Sequence, residues 1–372
     1  MSVQTLLDRF QAVAGDPGAQ LRAYLAEGKQ VVLTAPVYTP EEIIHAMGLI
    51  PMGAWGADTQ MEGAKEYFPA FICSVMQSIL ELGMRGTYNG ASAIVIPSLC
   101  DSLKCLGQNW KYAVPHIPFI PMTYPQNRRG EAGRAFTLAG YERVIRDLEA
   151  ATGAQFSQAA LARSIQVYND HNAAMRQLDR ALAAHPEISA AQRSAIFKSA
   201  WFMPKERHTG LVRELLYELD AAGPGRGRTP VMTSGILWDS PALLAILDEL
   251  GFQVVADDVA AESRQYRTDT DPSLPPLEGL CDKFARMDHC SVLYDVDKKR
   301  AELVIETAKE RSAKGVILAL TKFCDPEEFD YPILKKACDR AGLPLTLIEV
   351  DRQMVNYEQA RTSLEAFRDV LL

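Results

Sequence analysis

The sequence predicts an α/β protein: two doubly wound, mainly parallel-sheet lobes with a helical segment between them. Three observations predict it. Strand-length apolar runs alternate with amphipathic stretches of helical period over the first third of the chain. The same alternation restarts after the stretch "AGPGRGRTP" at 222–230, which reads as the clearest linker. Between them, from about 135 to 222, the pattern is helical throughout. The 372 residues are 48% hydrophobic and 23% charged, a balance that buries a sizeable core and suits two domains. The expected divisions are an N-terminal lobe at 1–134, a helical segment at 135–222 and a C-terminal lobe at 229–372.

In order, the first 30 residues read as one or two helices. "QVVLTAPVYTPEEIIHAMGLIPMGAWG" gives a strand, a helix with Thr39 as N-cap and Pro40 in its first position, and a second short strand. "FPAFICSVMQSILELGM" (68–84) has helical spacing and puts Cys73 in a first turn. "GASAIVIPSLCDSLKCLGQNW" is a buried strand, a turn carrying Cys100, and a helix; "HIPFIPMTYP" closes the unit as a strand. The second half runs strand "VMTSGI", helix "PALLAILDELG", strand "FQVVADD", helix "KKRAELVIETAKERSA", strand "GVILALT", Cys324, helix "YPILKKACDRAG" and strand "LPLTLIEVD". Two stretches share the order strand, Cys-Asp, helix, turn, strand, so the lobes look similarly built, with Cys100 and Cys324 outside the C-terminal strand ends where such sheets bind ligands.

The formal net charge of −8 argues against nucleic acid as a partner, although a local basic pocket could still take an anionic substrate. No apolar run reaches the roughly 18 residues of a membrane span, and no secretory pattern opens the chain, so a soluble cytoplasmic protein is expected. Seven irregularly spaced cysteines then read as reduced thiols rather than a disulfide framework.

Cys73, Cys100 and Cys324 sit on three separate elements that could converge on a metal centre at the lobe interface. Each could equally be a small core residue. Zinc sites use close cysteine pairs, absent here; three dispersed thiols suit an iron–sulfur cluster with one open iron. Cys105, Cys281, Cys290 and Cys338 lack the strand-end setting and read as packing. A cysteine nucleophile needs a histidine base, and none of the six histidines has a Cys-His signature. Phosphate-cradling glycine motifs are absent, so any ATP used belongs on another polypeptide. Gln60, Glu62 and Glu66 precede Cys73 closely enough to be candidate acid–base groups or simply a solvated loop; Arg128–Arg129 reads as a surface charge pair.

"FPAFICSVMQ", "IPSLCDSLK" and "TKFCDPEEFDYP", in this order and at these distances, resemble the 2-hydroxyacyl-CoA dehydratase / benzoyl-CoA reductase family over nearly the whole chain. The length and the segment before Cys73 are similar to the smaller, β-type dehydratase subunit. The resemblance implies a [4Fe–4S] cluster held by Cys73, Cys100 and Cys324 with a non-cysteine fourth ligand. It also implies an α-type subunit with its own cluster, an ATP-dependent iron–sulfur activator protein, and an acyl-CoA substrate of anaerobic amino-acid fermentation. The implied reaction removes water from a (R)-2-hydroxyacyl-CoA: one electron makes a ketyl radical anion that expels hydroxide, and the electron returns after deprotonation. This subunit's cluster would relay the electron, and Glu62 or Glu66 would supply a carboxylate. The segments "TSGILWDSP" and "MDHCSVLYD" lack the extra cysteines of the family's double-cubane branch. A reductase subunit and a non-catalytic metal-bearing scaffold remain the alternatives.

Overall fold

The computed structural model describes every position from 1 to 372 except Pro224 and Arg226, so the linker expected at 222–230 lies partly outside the described residues. Helices α1 (Val3–Gly15) and α2 (Pro17–Ala26) lead into β1 (Val31–Thr34), α3 (Glu41–Ala46), β2 (Ile50–Gly53), α4 (Ser74–Met84), β3 (Ala93–Pro97), α5 (Asp101–Ala113) and β4 (Phe119–Met122). Four helices follow: α6 (Glu131–Thr152), α7 (Gln158–Leu182), α8 (Ala190–Ser199) and α9 (Lys205–Ala222). The second half comprises β5 (Thr229–Gly235), α10 (Pro241–Glu249), β6 (Phe252–Val259), α11 (Pro276–Arg286), α12 (Arg300–Glu310), β7 (Val316–Thr321), α13 (Asp325–Arg340), β8 (Leu345–Val350) and α14 (Glu358–Leu371).

The strands form two four-stranded sheets, β2-β1-β3-β4 and β6-β5-β7-β8, in which every neighbouring pair is parallel. Parallel pairing follows from the helices that connect successive strands, since a tight hairpin cannot join parallel neighbours. Covered on both faces, β1, β3 and β7 are buried at every residue, which is why they read as unbroken apolar runs. The two sheets have the same order. In each, the first strand pairs with the second on one side and the third on the other, so the chain reverses direction between first and third. Loops leaving those two strands diverge and open a crevice at their C-terminal ends. Gly235, at the end of β5, adopts φ +138°, and a Cβ there would lie 2.4 Å from the Ala319 carbonyl oxygen of β7. Only glycine lets these strands approach so closely at the crevice.

One core joins the sheets: Leu33 and Ile94 of the first and Val231 and Ile317 of the second belong to a single buried cluster with Ile79 and Leu80 of α4. Phe10 of α1 packs instead with Leu178, Phe197 and Leu215 of the helical segment. The alternation read from the sequence leaves 260–297 without an expected element, yet α11 forms there and crosses to the first lobe. Its Leu280 and Phe284 pack with Val32, Ile43 and Val95, and Lys283 bridges Glu42 at 2.6 Å. Arg128 is correspondingly no surface charge. It is 2% exposed and donates to the carbonyl oxygens of Phe284, Met287 and Tyr294 and to Asp288, clamping the end of α11 to the first lobe.

Two helix starts differ from the sequence expectation. Pro40 rather than Thr39 is the residue before α3, because the Thr39 hydroxyl donates back to the Ala35 carbonyl instead of accepting from the helix. The segment 68–73 is not helical; α4 begins at Ser74, which makes Cys73 its N-cap.

Candidate functional site

Cys73, Cys100 and Cys324 line one cavity of about 380 Å³. It lies at the reversal point of both sheets at once. Pro36 and Val37 come from the loop after β1, Leu99 and Cys100 from that after β3, Ile236 from that after β5, and Cys324 from that after β7. Every cysteine is the residue immediately before a helix: Cys73 before α4, Cys100 before α5 and Cys324 before α13. First-turn backbone N–H groups act on each sulfur, those of Val75 and Met76 on Cys73, Ser102 and Leu103 on Cys100, and Glu327 on Cys324, and with the helix dipole they favour anionic sulfur. Apolar side chains, among them Val75, Met76, Leu103 and Val292, make up much of the remaining wall.

The thiols are not equivalent. A hydrogen bond from Cys324 lowers the Cys73 pKa, helped by the backbone N–H groups of Val75 and Met76 and opposed by burial. The same bond and burial push Cys324 well above the usual thiol range. Burial pushes Cys100 up to about 12. Cys73 is thus the most readily ionised of the three, while burial favours the protonated form of the other two.

Cys105, Cys281, Cys290 and Cys338 do not line the cavity; Cys338 is fully buried on the core face of α13, and Cys281 and Cys290 lie in the first-lobe core that contains α11. No histidine among the described residues lines it either, so no imidazole base stands beside the thiols, although Asp101, Asp325, Lys104 and Lys298 do line it. Glu62 and Glu66 are exposed and outside the lining, contrary to the expectation that either reaches the cleft. The reason is local. The buried Glu81 carboxylate accepts from the backbone N–H groups of Glu62 and Ala64 at 3.1 and 2.8 Å, which pins the 3-10 turn Gly63–Glu66 against α4 and leaves the two side chains in solvent.

Sequence reasoning misses what stands behind Cys324. The acids of "DPEE" read as dipole-facing residues of a helix start, and Asp325 and Glu328 are exposed. Glu327 is fully buried. Its carboxylate accepts from Arg264 at 3.2 Å, Arg300 at 3.0 Å and the Ser291 hydroxyl at 2.5 Å. The same two arginines bind the buried Asp258 at the end of β6, at 3.0 and 2.8 Å. These guanidiniums hold both carboxyls below their ordinary range in spite of burial. A signal was present: Glu327, Asp330, Leu334 and Cys338 recur at helical spacing and are the buried stripe of α13, so two acids lie on its core face.

The donor set can be tested against the group that the resemblance implies. Among the described residues, no three His, Cys, Asp or Glu side chains gather tightly enough to hold a single metal ion. Thiols spread around a cavity on three helix starts suit a polynuclear iron–sulfur cluster instead, in which each thiolate meets a different iron. The residues present fit such a group, with Cys73, Cys100 and Cys324 as the thiolates.

A family model described as "2-hydroxyglutaryl-CoA dehydratase, D-component" matches residues 36–371. The chain belongs to this family. This dehydratase-component chain is 43% identical over 366 residues to the (R)-phenyllactyl-CoA dehydratase beta subunit of Clostridium sporogenes, covering 97% of each chain. It is 40% identical over 375 residues to the lactoyl-CoA dehydratase subunit beta of Anaerotignum propionicum, covering 99% of each. Against the (R)-2-hydroxyglutaryl-CoA dehydratase subunit beta of Acidaminococcus fermentans the identity is 37% over 379 residues, covering all of both. For a member of the dehydratase family the matched span takes in all three cavity cysteines. Among its described residues no helix is long and apolar enough to cross a membrane.

Proposed function

We propose that this chain is the β-type subunit of an enzyme that removes water from a (R)-2-hydroxyacyl-CoA to give a 2-enoyl-CoA, and that Cys73, Cys100 and Cys324 hold its [4Fe–4S] cluster. Three thiols gathered from both sheets onto one cavity carry this reading, supported by the end-to-end similarity to three dehydratase beta subunits. When bound, the cluster supplies a one-electron carrier of low potential.

The chain's own residues do the rest. Helix N-termini at α4, α5 and α13 stabilise anionic sulfur. The apolar wall of Val37, Val75, Met76 and Ile236 keeps water from the thiolates, which strengthens every charge interaction there. Phe329 and Tyr294 line the mouth and are 79% and 56% exposed, apolar surface of the kind a partner covers. We assign that partnership to an α-type subunit, with electrons delivered by an ATP-dependent iron–sulfur activator. The lobes at 1–134 and 229–372 would clasp the cluster between them, with 135–222 as the brace.

Anaerobic co-purification with the neighbouring α-type reading frame tests this. Iron and sulfide bound by wild type and lost in Cys324→Ala support the ligand assignment; a colourless wild-type protein overturns it. Phenyllactyl-, lactoyl- and 2-hydroxyglutaryl-CoA are the thioesters to assay. Turnover with only catalytic reductant supports dehydration, whereas stoichiometric consumption of reductant overturns it in favour of a reductase.

A further inference from the structure

The buried charges behind Cys324 adjoin the cavity through Ser291 and the first turn of α13. Glu327 occupies the first turn of α13, and its N–H bonds the Cys324 carbonyl at 3.0 Å. Ser291 lines the cavity with one face while its hydroxyl bonds the Glu327 carboxylate. Arg264 is 3% exposed, and besides Glu327 and Asp258 it reaches the Cys290 sulfur at 3.5 Å. Arg300 opens α12, the helix that leads into β7 as α4 leads into β3. The second lobe thus places a guanidinium near the start of the helix that corresponds to the one Cys73 caps in the first.

The network is not neutral. Arg264, Arg267, Arg300 and Lys298 face Asp258, Glu327 and Asp330, four cations against three carboxylates. Replacing buried ion pairs with apolar residues is often neutral or stabilising, so stability alone does not account for so many here. In a dry interior an added negative charge feels nearby charges with little screening.

We propose that Arg264 and Glu327 are positioning residues of opposite sign for the bound cluster: Glu327 ties the Cys324 turn to the end of β6, and Arg264 holds the cationic charge that makes the cluster easier to reduce. This rests on the cluster reading above. Addition of one electron makes the site more negative, so loss of a cation opposes reduction and loss of a carboxylate assists it.

The test is an anaerobic redox titration of the αβ protein, followed by the electron paramagnetic resonance signal of the reduced cluster. Arg264→Gln is expected to lower the midpoint potential and Glu327→Gln to raise it. Arg267→Gln and Asp330→Asn repeat the two signs with smaller shifts; they stand at the edge of the network and keep the test usable where the first pair fails to fold. Opposite signs at equal iron content support the proposal, because a role in folding alone would move both variants the same way. Unchanged potentials, or shifts of one sign, overturn this proposal alone. A wild-type protein that binds no iron overturns the cluster reading and this proposal together.

Discussion

Cys100 and Cys324 occupy the same place in two different sheets. Each follows the third strand in a sheet of the same order and caps the next helix, and each is followed by an exposed aspartate. Cys73 breaks the symmetry. It caps the helix that leads into β3, and the corresponding helix of the second lobe, α12, opens at Lys299 and Arg300. Two thiols thus reach the crevice from the first lobe and one from the second, where the buried charge pairs stand behind it.

Cys100→Ala and Cys324→Ala should each weaken iron binding by at least about tenfold, since even outer partners of a metal site are worth that much. Iron and sulfide analysis after anaerobic reconstitution measures it. Cys338→Ala should keep full iron content, because Cys338 packs in the core on the buried face of α13, and should cost about 1–2 kcal/mol for the small void.

Glu62→Gln and Glu66→Gln should leave turnover within about twofold of wild type, as surface substitutions ordinarily do. Both side chains are exposed and outside the cavity lining. Steady-state assay of the αβ protein checks it; a loss of two orders of magnitude in kcat would restore either one as a catalytic residue.

Arg128→Ala should destabilise the chain by about 3–5 kcal/mol, the usual loss when one partner of a buried, hydrogen-bonded charge is removed. Three carbonyls and Asp288 would lose their donor at once. Urea unfolding reports the loss, and protease should cut first near α11, which Arg128 holds to the first lobe.

Glu262 should make the protein less stable as pH rises toward 8. Burial, with a single guanidinium of Arg193 shared among Asp179, Asp257 and Glu262, lifts its pKa from 4.5 to about 8. Between those values the folded state binds the proton more tightly than the unfolded state. Stability is fully present below about 4.5 and is lost through pH 8, by up to about 1.4 kcal/mol per pH unit. Glu262→Gln should flatten that part of the curve in urea unfolding against pH.

His208 should give the opposite slope. Burial drops its pKa from 6.5 to about 3, and its Nδ1 lies 3.1 Å from Nε2 of the equally buried His171. Below 6.5 the unfolded state gains the proton first, so stability falls as pH falls toward 3. Between about 4.5 and 6.5 the two slopes oppose each other. His208→Gln should therefore steepen the loss of stability with rising pH in that window, although burial also holds His171 well below 6.5 and leaves part of the opposing slope in place; unchanged pH dependence in both variants would refute both assignments.

The strands were readable because parallel sheets covered on both faces need unbroken apolar runs, and "VVLT", "AIVIP" and "VILALT" have no other easy fate. The two Cys-Asp units were readable for the same reason: a buried strand that stops at a polar turn marks its own C-terminal end. The crossing of α11 into the first lobe was not, since its apolar spacing names a buried face without naming the partner. Nor was the fate of Glu327. A carboxylate at a helix start looks the same in sequence whether it meets solvent and a dipole or two arginines from 27 and 63 residues away.

The amino-acid sequence by itself determined the α/β class, the paired lobes, the family and the three cysteines worth watching. Tertiary structure decided that these thiols share one cavity, that Glu62 and Glu66 turn away from it, and that buried charges back Cys324. Local pattern is set by backbone geometry and burial within a few residues. The cavity is set by where two sheet reversals meet, and that meeting depends on contacts between residues hundreds of positions apart.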